Sequence, residues 1–226
     1  MFWTVLGEVL TPGLAAALSP MLIVAAIILA SSDAGVRRVF IYAFGDFLAM
    51  ASLGVIAVLA ASGADVATRP SRSQAASFLL LLLGVLLWFM AWKTFKNRPA
   101  KGEEPPIVRR LSALDQMTSS RILLIGLALG LVNVKNIPLE IGAATTVVQS
   151  GAGRTLSIIA MLIFSLLGTL AVLAPGVIVL VAPNSAERVL GGGRRWFIAH
   201  NNAISITIFV LLGASMVAKA LPTLFS

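Results

Sequence analysis

Residues 121–148 decide the fold: RILLIGLALGLVNVKNIPLEIGAATTVV is an apolar run interrupted near its middle by polar residues and a proline. A membrane-spanning helix needs about 20 mostly apolar residues, because the hydrocarbon core of a bilayer is about 30 Å thick. Non-helical backbone at that depth is tolerated only where protein or water satisfies the freed hydrogen-bonding groups. The stretch therefore predicts a membrane helix that is broken inside the bilayer.

Five further apolar runs of similar length account for most of the remaining chain. The six runs together are 9–31, 39–62, 75–95, 121–148, 155–182 and 203–222. Of the 226 residues, 58% are hydrophobic and only 12% are charged, whereas a soluble domain carries about 25% charged residues. This composition excludes a soluble enzyme or a nucleic-acid-binding domain. It predicts an all-α, polytopic membrane protein with six transmembrane helices.

The Lys and Arg residues are distributed unevenly between the two sides that six spans create. Of the 17, twelve lie in the stretches 32–38, 93–121 and 183–202, four lie on the opposite side, and Lys135 lies within a span. Because cytoplasmic loops carry the excess of positive charge, these three stretches are expected in the cytoplasm. The prediction is a multi-pass protein of the cell (inner) membrane with both termini outside.

A polar linker at 97–120, rich in proline and charge, divides the spans into two groups of three. The predicted domains are a first repeat at 1–96, this cytoplasmic linker, and a second repeat at 121–226. Because three is odd, the two repeats lie in opposite orientations, as in the inverted repeats of many secondary transporters. Leu18-Ser19-Pro20 breaks the first helix of one repeat, and Asn133–Pro138 breaks the first helix of the other.

Within the second repeat, the stretch 184–200 (NSAERVLGGGRRWFIAH) is too polar to span a membrane. We expect an interfacial segment here, formed by a short helix, a break at the three consecutive glycines, and anchoring Arg and Trp residues at the cytoplasmic headgroups. The candidate residues for this headgroup interface are Arg195, His200 and Asn201.

The fourth helix carries the main candidates for a substrate or translocation site: Asn133, Lys135, Asn136 and Pro138, with Glu140 as a candidate for proton coupling. Charged groups at the bilayer centre cost about 2.5–3.5 kcal/mol each on insertion scales, so they normally face a cavity or a partner. Asn133, Asn136 and Glu140 are spaced to share one stripe of a helix, and Pro138 frees a backbone acceptor. The alternative is structural: Lys135 and Glu140 neutralise each other or a neighbour and hold helices together.

The first repeat adds three positions to this set. Ser19 and Pro20 join the translocation site because their break matches the break in the other repeat. Asp46 in the second helix is the second candidate for proton coupling, because carboxylates inside membrane spans form proton relays. Asp46 can equally pair with Lys135, or reach the interface and meet the two arginines that precede its helix.

Motifs for enzymatic chemistry are missing from the sequence. It has no Cys, no His/Asp/Glu cluster with metal-ligand spacing and no G-x-S-x-G motif, and its triple glycine is not followed by the Lys-Ser/Thr of a phosphate-binding loop. We therefore expect neither an enzyme nor a nucleotide-driven pump, and neither a cofactor nor a metal.

The order of these motifs resembles that of a known family. The matching elements extend over nearly the whole chain: Ala17–Pro20, Gly45, Asn133–Asn136, Ala174-Pro175 and Trp196–Asn201. They are similar to the Sap/GAP family, the sulfolipid- and peptidoglycolipid-addressing proteins within the LysE transporter superfamily. The resemblance implies six helices in LysE-like inverted repeats and a role in moving cell-envelope glycolipids outward.

The expected function is a secondary transporter or flippase that moves a cell-envelope lipid, glycolipid or lipid-linked sugar from the cytoplasmic to the outer leaflet, coupled to protons. One alternative is a LysE-like exporter of a small solute, such as an amino acid or a cation. Another is a non-transporting membrane scaffold for lipid export. The expected partners are a membrane lipid or glycolipid as substrate, an envelope-lipid synthase or larger exporter, and a second copy in a homodimer; nucleic acid is not expected.

Overall fold

The computed structural model describes residues 2–32, 34–63, 70–97, 117–133 and 135–224. Within these ranges the chain forms eight helices: α1 (Phe2–Ala17), α2 (Pro20–Ala30), α3 (Gly35–Gly63), α4 (Pro70–Lys96), α5 (Ser119–Leu131), α6 (Asn136–Gln149), α7 (Arg154–Val181) and α8 (Pro183–Leu224). These described residues contain no β-strand, which confirms the all-α fold class. Nearly all of the linker predicted at 97–120, and Val134 in the fourth-helix motif, lie outside the described residues.

Long apolar helices make the chain a membrane protein. The helices α3, α4, α7 and α8 are each long and apolar enough to cross a bilayer. Two bent pairs have the same property when each is taken together: α1 with α2, bent by 60°, and α5 with α6, bent by 67°. The described residues therefore provide four to six candidate spans, and the six predicted apolar runs fall on these six units.

Both bends lie at predicted helix breaks, and proline chemistry explains their position. Pro20 occupies the first turn of α2, and Ser19 before it has an extended backbone with φ −102° and ψ 92°. Pro138 likewise lies in the first turn of α6. Because the first N–H groups of a helix have no intrahelical partner, a proline there breaks no hydrogen bond. Each proline therefore lies in the first turn of a new half-helix, and the break precedes that turn.

Glycines allow the closest helix crossings. Where α3 crosses α5, a Cβ at Gly45 would lie 2.4 Å from the carbonyl oxygen of Leu123, and a Cβ at Gly126 would lie 2.2 Å from that of Tyr42. Where α4 crosses α8, a Cβ at Gly213 would lie 2.6 Å from the indole ring of Trp88 in α4. Small residues at helix interfaces are the usual means of close backbone approach in membranes.

The helices of the two halves of the chain interleave. Helices α1 and α2 pack on α7, α3 packs on α5, α6 and α7, and α4 packs on α8. The most deeply placed helix is α2, in which every residue from Leu22 to Ala30 is buried, as expected for a helix without a polar face. By contrast, α3 and α4 are consecutive in the chain but are not closely packed on each other.

The segment 184–200 differs from its prediction. Helix α8 runs without interruption from Pro183 to Leu224, so the expected break at Gly191-Gly192-Gly193 is wrong. A glycine inside a helix costs only about 1 kcal/mol relative to alanine. Ala186 and Leu190, on the preceding turns, are buried in the apolar cluster around α2, and this packing holds the segment in helical register.

Candidate functional site

The two helix breaks meet inside the bundle. The Asn133 Nδ2 atom donates a hydrogen bond to the Ser19 hydroxyl oxygen at 3.1 Å. The Lys135 Nζ atom donates to the carbonyl oxygen of Leu18 at 2.8 Å and lies 3.2 Å and 3.4 Å from those of Ala15 and Ala16. Residues of the second half of the chain therefore hold the open end of the first half-helix.

Electrostatics explains why a lysine suits this place. The last carbonyl groups of a helix have no intrahelical donor and carry the negative end of its dipole, so a cation there is stabilising. Lys135 is 7% exposed, and its recorded partners are all backbone carbonyls of the first break. It forms no ion pair with Glu140, so the alternative in which these two charges neutralise each other is not the observed arrangement.

A polar cavity borders this crossing. It has a volume of about 270 Å³, and its polar side chains are Ser19, Asn133, Lys135, Asn201 and Ser205. Pro20 also lines it, with apolar residues of α2, α4, α5 and α8. The volume is ample for water or for a small polar group. The structure therefore brings together four of the predicted translocation residues around one space.

Asn201 was expected at the headgroup interface, but it lines this cavity. Ser205, one helical turn further along α8, lines it as well and was not singled out from the sequence. The spacing of the two residues carries the missing signal, because positions i and i+4 share a helix face.

Asn136 and Glu140 lie one turn apart on α6, and both are 1% exposed. The Asn136 amide nitrogen has only a weak contact, 4.0 Å from the Met50 sulfur, and its Oδ1 atom has no partner. Neither carboxylate oxygen of Glu140 has a partner. Asn133 lies in the break, so the predicted helical stripe is reduced to Asn136 and Glu140. Buried polar atoms of this kind normally find a partner, which makes both side chains candidates for ligand contact.

Asp46 is fully buried where α3 crosses α5. Its Oδ2 atom accepts a 3.4 Å hydrogen bond from the Thr169 hydroxyl of α7, and its Oδ1 atom has no partner. A Cβ at Gly130 would lie 2.9 Å from this Oδ1 atom, which places the carboxylate beside the end of α5. No Asp46 oxygen lies within 4 Å of the Lys135 Nζ atom, although the two opposite charges attract each other. Asp46 also forms no ion pair with the two arginines in the first turn of α3.

Tyr42 and Thr169 complete the surroundings of Asp46, and neither was predicted from the sequence. The Tyr42 hydroxyl, one turn before Asp46, is buried without a partner. Tyr42 is the only tyrosine in the sequence. Its position as a single polar ring in an apolar helix could have identified it as a candidate site residue.

A second, larger cavity lies between α3 and α4. Its volume is about 610 Å³, and α6 contributes one wall. Among the described residues that line it, Glu140 and Thr145 are polar and the others are aliphatic. The two cavities lie on either side of the α5–α6 junction, since Lys135 lines the polar one and Ile137 the apolar one.

The other two predicted interface residues, Arg195 and His200, are exposed on α8. The His200 ring stacks on Trp196 with ring centroids 4.8 Å apart, and its Nδ1 atom lies 2.9 Å from the Trp196 carbonyl oxygen. Tryptophan beside positive charge is typical of membrane interfaces. Their role at the headgroups stays a prediction.

At the opposite end of the bundle, Glu8 of α1 forms an ion pair with Lys219 of α8. The pair lines a cavity of about 230 Å³ between α1, α6 and α8. In the described ranges of the chain, no group of three or more His, Asp or Glu residues is placed to hold a metal ion.

Comparison with known protein families gives a match over most of the chain. The family model described as Sap, sulfolipid-1-addressing protein, matches residues 9–222. No curated protein and no solved structure shows a significant match to the chain. The matched range includes both helix breaks, both buried carboxylates and the cavity residues of α8.

Proposed function

The chain belongs to the sulfolipid-1-addressing protein (Sap) family, and from this premise we propose that it moves a cell-envelope lipid, glycolipid or lipid-linked sugar from the cytoplasmic to the outer leaflet. Family membership indicates a role in lipid addressing or export. The direction and the mechanism are our proposal.

One observation carries the proposal: two broken helices meet at a cavity that contains a buried ammonium group and amide side chains. Secondary transporters bind substrates at such interrupted helices, near the middle of the membrane. Lys135 and Asn133 offer hydrogen-bond donors, which suit the phosphate, sulfate or sugar oxygens of a lipid headgroup. The headgroup displaces the Lys135 contacts to the first break when it binds.

The pattern of helix packing supports two inverted repeats. If the first three spans correspond to the last three, α1–α7 contacts correspond to α5–α3 contacts, and α2–α8 contacts to α6–α4 contacts. All four pairs pack closely. We infer six spans in two inverted repeats, in the cell (inner) membrane, with both termini outside. In this arrangement the crossing of the two breaks lies at the bilayer midplane.

Proton coupling through a buried carboxylate is the proposed energy source. The sequence has no nucleotide-binding motif, and one elementary charge crossing the membrane gains about 2.3 kcal/mol per 100 mV. Glu140 is the first candidate because it lies one turn from Asn136 and borders the larger cavity. Asp46 is the second, because one of its oxygens lacks a partner beside the break.

The same polar cavity would suit a LysE-like exporter of a small solute, but the opening between α3 and α4 favours a lipid. Ile56 and Leu79, on the two sides of the larger cavity, are 61% and 38% exposed. In a membrane these side chains face lipid, so the cavity opens laterally. A scaffold that recruits an envelope-lipid synthase or larger exporter, without transport, does not require buried carboxylates with unpartnered oxygens, such as those of Glu140 and Asp46. We propose no enzymatic activity.

The proposal is tested by lipid analysis of the inner and outer leaflets in a deletion strain complemented with variants. Wild type and Asn184→Ala, an exposed asparagine at the start of α8, are expected to restore one lipid class to the outer leaflet. Asn133→Ala is expected to leave that class in the inner leaflet at equal protein level. Identical leaflet compositions in the deletion and wild-type strains would contradict transport.

A further inference from the structure

The cavity between α3 and α4 has the properties of a binding site for an apolar chain. Its volume of about 610 Å³ lies within the range of about 300–1,000 Å³ for ligand pockets. Small side chains on both helices leave the space that helix packing would otherwise fill: Ala57, Ala60 and Ala61 on α3, and Ala75 and Ala76 on α4.

One polar group in this cavity lacks a partner. The Thr145 hydroxyl donates to the Ile141 carbonyl oxygen at 2.8 Å and is satisfied. Glu140 is 1% exposed, and both of its carboxyl oxygens are without a partner. An ionised carboxylate is costly in such surroundings, and the uncharged acid has an O–H group that needs an acceptor. The occupant of the cavity should therefore bring a hydrogen-bond acceptor at the end of an apolar chain.

We propose that this cavity binds an ester-linked acyl chain of the transported lipid, and that the ester carbonyl oxygen accepts a hydrogen bond from the Glu140 carboxyl group. This inference rests on the proposed function, since it names a subsite for the same substrate. The acyl chain of the lipid enters the cavity from the bilayer through the lateral opening beside Ile56 and Leu79. It crosses no water on this path.

The position of the cavity fits a two-part lipid. Lys135 and Ile137, two residues apart at the α5–α6 junction, line the polar and the apolar cavity respectively. A headgroup in the polar cavity and an acyl chain in the apolar one therefore lie on either side of this junction. Loss of the Glu140 proton removes the donor to the ester, which links proton release to release of the chain.

Photo-crosslinking of the full-length protein in lipid nanodiscs tests this site. The probe is a phosphatidylglycerol with a diazirine at the end of one ester-linked chain, compared with its ether-linked counterpart. We expect saturable labelling of the peptides that contain residues 53–61, 75–79 and 137–145. Ala60→Trp fills the cavity and should reduce this labelling at least fivefold. Leu59→Trp is the matched control, because Leu59 is an exposed neighbour that does not line the cavity.

The ester and ether probes isolate the contribution of Glu140. One neutral hydrogen bond corresponds to about a fivefold preference for the ester. Glu140→Leu should abolish this preference, and Glu140→Gln, which keeps an N–H donor, should retain most of it. Equal labelling by both probes in the wild type, or labelling that Ala60→Trp does not reduce, would overturn the inference.

Crosslinking does not require transport, so the two proposals fail separately. A saturable, Glu140-dependent label in a protein that moves no lipid contradicts the proposed function and leaves the acyl-chain site intact. Lipid movement that is unaffected by Ala60→Trp contradicts the acyl-chain site and leaves the proposed function intact.

Discussion

Replacement of Lys135 by methionine tests whether its ammonium group holds the first helix break. The side chain keeps a similar length but loses every donor. The 2.8 Å bond to the Leu18 carbonyl is charge-assisted, and such bonds contribute about 1.5–3 kcal/mol. The contacts to Ala15 and Ala16 are longer, at 3.2 Å and 3.4 Å, and water in the adjacent cavity replaces part of them.

Together these terms predict that Lys135→Met lowers the free energy of unfolding by about 2–3 kcal/mol, or about 30- to 150-fold in the equilibrium. At about 2–4 °C per kcal/mol for a chain of this size, the melting temperature falls by about 4–12 °C. The assay is thermal unfolding in detergent, followed by the loss of the monodisperse protein peak. Lys219→Met is the control, because its ion pair with Glu8 is partly exposed, at 42% and 29% of the two side chains, and pairs in contact with solvent contribute about 1 kcal/mol or less.

Transport measured below the melting temperature of the variant separates the structural from the functional role. We expect Lys135→Met to move no lipid while still folded, because the ammonium is the donor proposed for the headgroup. An unchanged melting temperature would refute the reasoning about the α1 carbonyls. Normal transport by the folded variant would instead remove Lys135 from the substrate site.

Three other expectations concern orientation, coupling and packing. The chain has no native Cys, so an impermeant thiol reagent should label Ser150→Cys in intact cells and should not label Thr118→Cys; the opposite pattern would reverse the orientation. In proteoliposomes an imposed proton gradient should accelerate wild-type transport, and Glu140→Gln should lose this response more completely than Asp46→Asn; full responses in both variants would exclude carboxylate coupling. Gly126→Ala places a Cβ 2.2 Å from the Tyr42 carbonyl oxygen of α3, so it should destabilise the protein by about 1–3 kcal/mol in the same unfolding assay. Gly7→Ala is the control and should have little effect, because no atom lies within 4 Å of a Cβ at this exposed position.

The helix breaks were predictable because their causes are local. Pro20 and Pro138 suit the first turn of a helix, and polar residues beside each proline mark the gap in an apolar run. Proline alone does not make a break, since Pro175, between Ala174 and Gly176, lies inside α7. The triple glycine of α8 shows the limit of such local rules. Its helix-breaking tendency amounts to a few kcal/mol, and burial of Ala186 and Leu190 outweighs it.

The partners of the site residues were not predictable from the sequence. Asn133 meets Ser19 across 114 residues, and Thr169 meets Asp46 across 123. Such contacts depend on which helix faces pack together, and the apolar helices give few cues about this because most of their faces are similar. The larger cavity between α3 and α4 was not predictable either. Alanines that line an open space have no sequence pattern that distinguishes them from alanines at a close helix crossing.

The contact between Lys135 and the carbonyl groups at the end of α1 has a consequence for biogenesis. It reaches back 117 to 120 residues along the chain, so helices α1 to α4 are synthesised before Lys135 exists. Until α5 and α6 are in place, the carbonyls at the end of α1 lack this donor, and the Ser19 hydroxyl lacks its contact with Asn133. Water or the insertion machinery has to supply hydrogen-bond donors to these carbonyl groups during this interval. A nascent chain that ends before Asn133 therefore leaves the polar groups of its first helix break without the partners that they have in the complete fold.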